Sequence, residues 1–416
     1  MRLMIYSHDT FGLGNIRRMV AICKALLNSM PGLSILLVSG SPMIHSFRLP
    51  AGLDYIKLPC LNRGKRGELA AKYLGTQTDE TLQLRSDLIL AAAINYKPDL
   101  LLVDKKPNGV SGELAATISY LKNSALKTKL VLLLRDILDS PEVTIAEWRS
   151  RGYHQAIELF YDQVLVVGMQ AVFDVVEEYQ FPPTTSAKVR FCGYIGKEPG
   201  LKQRDVIRRQ LQVKPQEQLV LVTPGGGEDG YHLVNTYLCG LKQLNQTHVK
   251  SLIVCGPEMP VQRKQQLYQA AQKYPHVQIG EFTDNLISYM DAADAIVSMG
   301  GYNTITEILS LGKRAVVVPR IQPVQEQWIR AFRLSQLGLL QAIHPDRLTP
   351  ESLINTLLSE LNTTAKPFPR LDLDALPRIS RYIYALLSHE NETSNKTEYL
   401  YLKRLQSLCL TTGTRK

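Results

Sequence analysis

The chain has 416 residues, 45% hydrophobic and 21% charged, with a formal net charge of +10. This length predicts two domains at roughly 100–200 residues each, and no apolar run approaches the ~20 residues that a membrane-spanning helix needs. The basic residues are spread along the chain without interleaved aromatic side chains, which argues against nucleic acid as a partner and leaves a solvated basic surface or peripheral association with an anionic membrane.

The N-terminus and the cysteines bear on location and on metal binding. The stretch MRLMIYSHDTFGLGN has too short an apolar run for a secretory signal. We therefore expect a cytoplasmic protein, with the inner face of the membrane as an alternative position. The six cysteines show no C-x-x-C spacing, which predicts free thiols and no metal site.

From the first residues onward, short runs rich in leucine and β-branched residues alternate with segments of helical period. The first such segment, NIRRMVAICKALLNSM, places Ile16, Met19, Val20, Cys23 and Leu26 on one face. Continuous apolar strands that alternate with helices predict a parallel sheet covered on both faces. The strand candidates here are RLMIYS, LSILLVS, DYIKLP, DLLLVD, KLVLLLRD and DQVLVVG.

The pattern is interrupted at GYIGKEPGLKQRD, whose glycines and proline are typical of an inter-domain connection, and then restarts with QLVLVTPGGG. The fold class is therefore α/β, with two Rossmann-like, doubly wound domains and a cleft between them. The predicted parts are an N-terminal domain (1–196), a C-terminal domain (197–372), a helix (373–390) and a polar tail (391–416). For the helix, packing back on the N-terminal domain is one hypothesis.

Ligands of doubly wound sheets bind outside the carboxyl ends of the strands, so the loops after strands are informative. The first, SHDTFGLGNIRR, carries Gly12 and Gly14 before a helix that we expect to begin near Asn15. His8 and Asp9, at the end of the strand, are titratable groups within reach of a cleft and are the catalytic candidates. A tight turn without a ligand and a structural histidine are the alternative interpretations.

In the second series, VTPGGGEDG places Gly225, Gly226 and Gly227 directly after a strand. This loop lacks the Lys-Ser/Thr ending of a P-loop, which disfavours nucleoside triphosphate hydrolysis. Close approach of the backbone to a phosphate is favoured over a merely flexible loop. Farther along, Phe282 in GEFTDNL is a candidate to flank a nucleobase.

The stretch SMGGYNTITEIL leaves another apolar run through two glycines and enters a helix. Gly300 and Gly301 would let the backbone N–H groups near Thr304 face a diphosphate at the positive end of that helix. Glu307 lies one turn inside, where its carboxylate could accept hydrogen bonds from ribose hydroxyls. Packing glycines and a capping role for Glu307 are the alternatives.

The last informative loop, VPRIQPVQEQWIRAFRL, leads from a strand into a helix. Its Glu326, Gln327 and Arg330 are polar groups that would suit the hydroxyl groups of a sugar at the edge of the cleft. A solvent-facing start of a helix explains the same residues otherwise.

These residues together resemble a known family. The run SMGGYNTITEILSLGKRAVVVPRIQPVQEQWIRAFRLSQLGL is similar to the donor-binding region of GT-B glycosyltransferases of the family 28 type, to which the lipid-linked N-acetylglucosaminyltransferase of peptidoglycan synthesis belongs. With YSHDTFGLGNIRR, VDKKPNGVSGEL and LLLRDILDSPE, the chain more specifically resembles a group of predicted glycosyltransferases of that type, over residues 1 to about 385.

The resemblance implies an acceptor-binding N-terminal domain and a C-terminal domain that binds a nucleoside diphosphate sugar, usually a UDP-sugar. It implies that Gly300, Gly301 and Thr304 meet the diphosphate and that Glu307 meets the ribose. The implied reaction is a hexosyl transfer by direct displacement, inverting and without a metal ion. A nucleotide sugar is then a co-substrate, and no cofactor is expected.

Two positions depart from the family pattern. Glu326, before Gln327, stands where the family often has a Gln pair or Asp-Gln that reads the sugar, so the identity of the sugar stays open. Asn15 stands where the N-terminal glycine loop often ends in Gly-His. Because an amide cannot act as a general base, the proton acceptor must be His8, Asp9 or another residue.

The acceptor side is less readable from the sequence. Gly12, Gly14, Asn15 and Arg17 are our candidates for it, with Arg17 and Arg18 just inside the first helix and one of the two expected in solvent. The acceptor is unknown, with a lipid-linked molecule or a polysaccharide as the hypotheses. Two rival functions stay open: a UDP-sugar 2-epimerase, which shares the two-domain fold, and a catalytically inactive sugar-nucleotide-binding protein.

Overall fold

Two parallel β-sheets organise the residues that the computed structural model describes, which are 1–8, 13–63, 68–198, 200–244, 248–283, 285–363 and 371–388. One sheet lies in the N-terminal half and the other in the C-terminal half. The prediction of an α/β fold with two Rossmann-like halves is confirmed.

The N-terminal half supplies the larger sheet. Its described strands are β1 (Arg2–Ser7), β2 (Ser34–Ser39), β3 (Leu53–Lys57), β4 (Leu61–Arg63), β5 (Leu69–Ala71), β6 (Leu100–Asp104), β7 (Lys129–Arg135), β8 (Gln163–Val167) and β9 (Val189–Phe191). Seven of them pair in parallel in the order β3-β2-β1-β6-β7-β8-β9, while β4 and β5 form a separate antiparallel hairpin. The chain therefore reverses its direction of strand addition between β1 and β6.

Helices cover both faces of this sheet. They are α1 (Leu13–Ser29), α2 (Thr78–Tyr96), α3 (Ala115–Asn123), α4 (Pro141–Ser150), α5 (Tyr153–Phe160), α6 (Val175–Glu178) and α7 (Pro183–Ser186). Along β1, Leu3 and Ile5 join one apolar cluster, whereas Met4 and Tyr6 join the cluster on the opposite face. The strand is continuously apolar because both of its faces are buried.

The C-terminal half repeats the arrangement with a six-stranded parallel sheet. Its strands are β10 (Gln218–Thr223), β11 (Val249–Val254), β12 (Val277–Gly280), β13 (Ala295–Ser298), β14 (Arg314–Val317) and β15 (Gln341–Ala342). Its helices are α8 (Arg204–Gln210), α9 (Tyr231–Leu244), α10 (Val261–Ala271), α11 (Leu286–Ala292), α12 (Tyr302–Ser310), α13 (Glu326–Gln336) and α14 (Pro350–Asn362). The strand order β12-β11-β10-β13-β14-β15 reverses between β10 and β13.

The final described helix, α15 (Ala375–Ser388), returns to the N-terminal half and packs against α1. The segment before it runs alongside the connection between the halves, where the Tyr194 N–H donates to the Asp372 carbonyl at 2.8 Å and the Gly196 N–H to the Leu373 carbonyl at 3.0 Å. The chain thus crosses between the halves at two neighbouring places.

One apolar cluster extends through both halves. It includes Ile16 from α1, Leu102 from β6, Ile305 from α12, Ala331 from α13 and Ile379 from α15. This shared core packs the two halves against each other.

Two expectations about the whole chain can be compared with the described residues. None of the helices described is both long and apolar enough to cross a bilayer. The cysteines at positions 23, 60, 192, 239 and 255 are free thiols, and Cys409 lies outside the described residues.

Candidate functional site

The candidate residues converge where the strand order of each sheet reverses. His8 follows β1, beside Asp104 at the end of β6. Gly225 follows β10, and Gly300 and Gly301 follow β13. These are the two positions at which doubly wound sheets open a crevice for a ligand.

The N-termini of helices α1 and α12 meet across the two halves. Asn303, in the first turn of α12, donates from Nδ2 to the carbonyl oxygen of Gly14 at 3.4 Å, and Gly14 lies in the first turn of α1. The cap residue of α12, Gly301, has no side chain that could satisfy the first N–H groups. Two positive helix ends therefore face one place, where an anion would be stabilised.

The glycines after β10 serve two different purposes. Gly225 has φ +84° and Gly227 has φ +95°, a backbone region that favours glycine. A Cβ on Gly226 would lie 2.6 Å from a Glu258 oxygen, and one on Gly227 would lie 2.3 Å from the Cys255 carbonyl. The backbone of the neighbouring loop thus crowds position 227, whereas the flexible Glu258 side chain could move away from position 226. Gly225 faces Thr304 at the start of α12.

The glycines after β13 also differ from each other. A Cβ on Gly300 would lie 3.0 Å from the Pro319 side chain and 3.1 Å from the Gln327 backbone, so this glycine lets α13 pack closely. Gly301 has an ordinary φ of −62°, and a Cβ there would meet nothing nearer than Thr304 Oγ1 at 3.9 Å. No crowding in the described structure requires a glycine at position 301.

Glu307 lies half-buried on α12, in the turn after Thr304. Burial raises the pKa of its carboxyl group, and the cations Lys197 and Arg17 act in the opposite direction. Arg17 itself is exposed, whereas its neighbour Arg18 is buried and pairs with Asp104 at 2.8 Å.

Glu326 and Asn15 are joined through a residue that the sequence did not single out. Arg135, the last residue of β7, donates from Nη1 to Glu326 Oε2 at 3.1 Å and from Nη2 to Asn15 Oδ1 at 2.6 Å. Asn15 Nδ2 in turn donates to the His8 carbonyl at 3.0 Å. A donor-side candidate and two candidates of the opposite side thus belong to one hydrogen-bonded chain.

The charge state of Glu326 follows from its neighbours. Burial alone would raise the pKa of this carboxyl group, but Arg135, Arg330, Lys105 and Arg320 outweigh that effect and lower the pKa to about 2. Glu326 is therefore a carboxylate at neutral pH, able to accept hydrogen bonds but not to donate them.

A fully buried ion pair lies beside this chain and joins the halves. Arg330 of α13 donates from Nε and Nη2 to the two carboxylate oxygens of Asp136 at 2.8 and 2.9 Å, and both side chains are 0% exposed. Tyr194 donates to the same carboxylate at 3.1 Å, and Arg330 lies over the Tyr302 ring. Bidentate geometry and these further contacts satisfy charges that would otherwise be costly to bury.

His8 is 6% exposed and lies among cations. Its backbone N–H donates to Asp104 at 3.3 Å, while its Nδ1 is buried without a hydrogen-bond partner among the described residues. Burial lowers the pKa of His8 well below its ordinary value, and the cations Lys105, Lys106 and Arg135, among others, lower it further. The imidazole is therefore neutral at pH 7.

Comparison with known proteins places this geometry in a family. A model of the glycosyltransferase family 28 C-terminal domain matches residues 219–374, the segment that holds the glycine loop, α12 and α13. This segment is therefore a C-terminal domain of the glycosyltransferase family 28 type, in a chain that has the GT-B fold. An uncharacterized glycosyltransferase of Methanopyrus kandleri is 25% identical over 188 residues, which are 45% of this chain and 51% of the relative. The chain thus spans about half the length of that relative.

Other relatives match a larger part of this chain than the Methanopyrus protein does. The UDP-N-acetylglucosamine--N-acetylmuramyl-(pentapeptide) pyrophosphoryl-undecaprenol N-acetylglucosamine transferase of Lactococcus lactis is 23% identical over 70% of this chain and 74% of its own. The crystal structure of Acinetobacter baumannii MurG superposes with a TM-score of 0.62 at 14% identity, covering 92% of this chain and 99% of that one. The UDP-GlcNAc 2-epimerase of Methanocaldococcus jannaschii gives the same TM-score of 0.62 at 13% identity, with 92% and 100% covered. Such low identities show the shared fold alone.

The remaining candidate residues differ in exposure, and two of them lie outside the described part of the chain. Phe282, in the loop after β12, is 59% exposed. Gln327 is 7% exposed, and its Oε1 accepts a hydrogen bond from the Arg320 N–H at 3.3 Å. Asp9 and Gly12 lie outside the described residues and stay predictions. Helix α1 begins at Leu13, about half a turn before the predicted start near Asn15.

The sequence analysis did not identify three residues of this site. Arg135 and Asp136 end the apolar run of β7, and Lys105 follows β6. A charged residue that ends a fully buried strand was the available signal, since such residues lie at the carboxyl edge of the sheet. Lys105 also has φ +72°, and burial, with Arg135 nearby, lowers its pKa to about 8. Strain and a shifted pKa are both typical of functional positions.

Within the described residues, no group of three or more His, Cys, Asp or Glu side chains is arranged so that it could hold a metal ion.

We predict that Arg330→Met lowers the free energy of unfolding by about 3–5 kcal/mol, because it leaves the Asp136 carboxylate buried without its partner. Urea unfolding followed by circular dichroism measures the loss. The double variant Asp136→Asn/Arg330→Met should lose less. Arg333→Ala, which removes the more exposed ion pair between α13 and Glu178, should cost about 0–1 kcal/mol. An equal loss in Arg330→Met and Arg333→Ala would contradict this prediction.

We also predict that His8 makes the protein less stable in mild acid. Its pKa is lowered in the folded state, so below about pH 6.5 the unfolded chain binds a proton that the folded chain does not, and stability falls as the pH falls. His8→Gln should reduce this slope by up to ~1.4 kcal/mol per pH unit in urea titrations between pH 7 and 5. His232, exposed on α9, is the control position. An unchanged slope in His8→Gln would disprove the assignment.

Proposed function

We propose that this chain transfers a sugar from a nucleoside diphosphate sugar, with UDP as the carrier, to a hydroxyl group of an acceptor. The observation that carries the proposal is the meeting of the α1 and α12 N-termini at the Asn303–Gly14 contact. Two positive helix ends at one place favour a ligand with concentrated negative charge, and a diphosphate has it. The family 28 match covers the half that would hold this donor.

The donor would lie along the start of α12. Gly301 and Thr304 would present backbone N–H groups to the diphosphate, with Gly225 facing the same place from the neighbouring loop. Glu307 would accept hydrogen bonds from the ribose, and the exposed ring of Phe282 would stack on the base. The sugar would then reach Glu326 and Gln327 at the start of α13.

The proposed mechanism is a single displacement. The oxygen of an acceptor hydroxyl bonds to the anomeric carbon while the bond from that carbon to the diphosphate oxygen breaks, which inverts the configuration. The hydroxyl proton would pass to neutral His8, since the amide of Asn15 cannot accept it. The two helix N-termini would stabilise the charge that develops on the leaving nucleoside diphosphate. No metal ion is part of this proposal.

The acceptor would bind to the N-terminal half. The Lactococcus lactis relative is named for a pyrophosphoryl-undecaprenol acceptor, which makes a lipid-linked molecule our first hypothesis and a polysaccharide the second. Exposed Tyr73 and Leu74 beside Lys72, with the net charge of +10, support a peripheral position at the inner face of an anionic membrane.

Two alternatives make different predictions. An epimerase would consume a UDP-sugar without an acceptor, and the equal TM-score of the epimerase structure shows only that this fold hosts such chemistry as well. A sugar-nucleotide-binding protein without activity would bind tightly without turnover. The family match favours the transferase over the epimerase, and a turnover measurement separates the transferase from the inactive binding protein.

The donor site predicts selective nucleotide binding. In calorimetric titrations with UDP, GDP, dTDP and ADP, we expect one of them, UDP, to bind best. Glu307→Ala should weaken that binding by about 1–3 kcal/mol, because the ribose hydroxyls lose their acceptor. Glu351→Ala, an exposed position on α14, should bind like the wild type. If no nucleotide binds, or Glu307→Ala binds as well as the wild type, the donor assignment is wrong.

Membrane association predicts charge-dependent sedimentation. Vesicles that contain phosphatidylglycerol should carry the protein into the pellet at low salt, and vesicles of pure phosphatidylcholine should not. Salt at about 0.5 M should release it, since ionic screening weakens attraction between exposed charges. Equal sedimentation with both vesicle types would remove the membrane from the proposal.

A further inference from the structure

Arg135 touches both sides of the proposed active site. It ends β7 of the N-terminal half, yet its guanidinium forms an ion pair with Glu326 of the C-terminal half at 3.1 Å. Its other terminal nitrogen donates to Asn15 at 2.6 Å. A guanidinium is a rigid planar fork, so these two bonds constrain both partners relative to one another.

On the donor side, Arg135 fixes one face of the Glu326 carboxylate. Arg330 lies 3.5 Å from Glu326 Oε2 and is itself held by Asp136. Among the residues that the structure describes, the other oxygen, Oε1, has only the long 3.5 Å contact with Arg135. Because a carboxylate offers about four lone-pair positions, Glu326 keeps free acceptor capacity in a fixed direction.

On the acceptor side, Arg135 holds the Asn15 amide. With Oδ1 bound to the guanidinium, Asn15 directs Nδ2 to the His8 carbonyl. The Nε of Arg135 is buried and has no hydrogen-bond partner among the described residues. A guanidinium that is held by two partner residues and keeps one donor unused is typical of a group that orients others around a ligand.

We propose that Arg135 is a positioning residue for the donor sugar. It orients the Glu326 carboxylate toward sugar hydroxyl groups. Through its hydrogen bond to Asn15, it also couples that orientation to the N-terminal half, which carries Asn15 and His8. The inference rests on the proposed function and goes beyond it, since sugar discrimination then depends on a residue outside the donor-binding half. A fixed carboxylate selects hydroxyl donors, and it rejects a sugar that presents an acceptor group at that position.

The test compares UDP with UDP-glucose, UDP-galactose and UDP-N-acetylglucosamine by calorimetry on the full-length protein. The readout is the ratio of the best to the worst affinity among the three sugars. In Arg135→Ala we expect this ratio to fall about tenfold toward one, while UDP itself binds within about twofold of the wild type. Glu326 still pairs with Arg330 in this variant, so no carboxylate is left without a cation.

Two further variants separate positioning from structure. Arg135→Lys keeps a charge for Glu326 but loses the planar fork, and it should retain part of the ratio. Arg333→Ala breaks a different ion pair between α13 and the N-terminal half, and it should keep the whole ratio. A structural role of Arg135 would instead lower the UDP and UDP-sugar affinities together, with a lower melting temperature.

The outcomes are distinguishable. An unchanged ratio in Arg135→Ala, an equal loss for UDP and the UDP-sugars, or a wild type that binds UDP but does not discriminate among the sugars would each overturn the inference alone. A wild type that binds none of these nucleotides would overturn the proposed function, and this inference with it.

Discussion

The buried pair of Arg330 and Asp136 fixes how the two halves of this protein face each other. Removing both charges from water is costly, and the cost is offset only when geometry and further hydrogen bonds are complete. Here the pairing is bidentate and Tyr194 adds a third bond. Because Arg330 lies one turn after Glu326 on α13, the pair also fixes the distance between the donor-side carboxylate and the end of β7.

With the halves held in this way, the electrostatics of the cleft follow from the backbone. Helix α1 and helix α12 each begin where their own sheet reverses its strand order, and the contact between Asn303 and Gly14 brings these beginnings together. Like ends of two helix dipoles repel each other unless an anion lies between them. The fold therefore carries a preference for an anionic ligand before any charged side chain is considered. The lowered pKa of His8 has a different origin, since burial causes most of it and the side chains of Lys105 and Lys106 add to it.

The sequence predicted the parts of this site that depend on local pattern. Alternating apolar runs and helical periods indicated the two sheets, and loops after strands pointed to His8, Gly225 and Gly301. Contacts between distant segments left no such signal: Arg330 and Asp136 are 194 positions apart, and neither residue type nor spacing connects them. Arg330 was read as a polar group at the cleft edge, although the structure buries it completely.

Asn15, at a position where the resemblance implies a histidine, has a chemical consequence for the proposed transfer. Asn15 is hydrogen-bonded to Arg135 and to the His8 carbonyl, and its amide takes no proton. His8, with its lowered pKa, is neutral but a weak base. A weak base assists best when the hydroxyl becomes acidic late, after the bond to the leaving diphosphate has largely broken. Stabilisation of that leaving group by two helix ends would then supply most of the rate enhancement, and the base would only accept the hydroxyl proton at the end of the reaction.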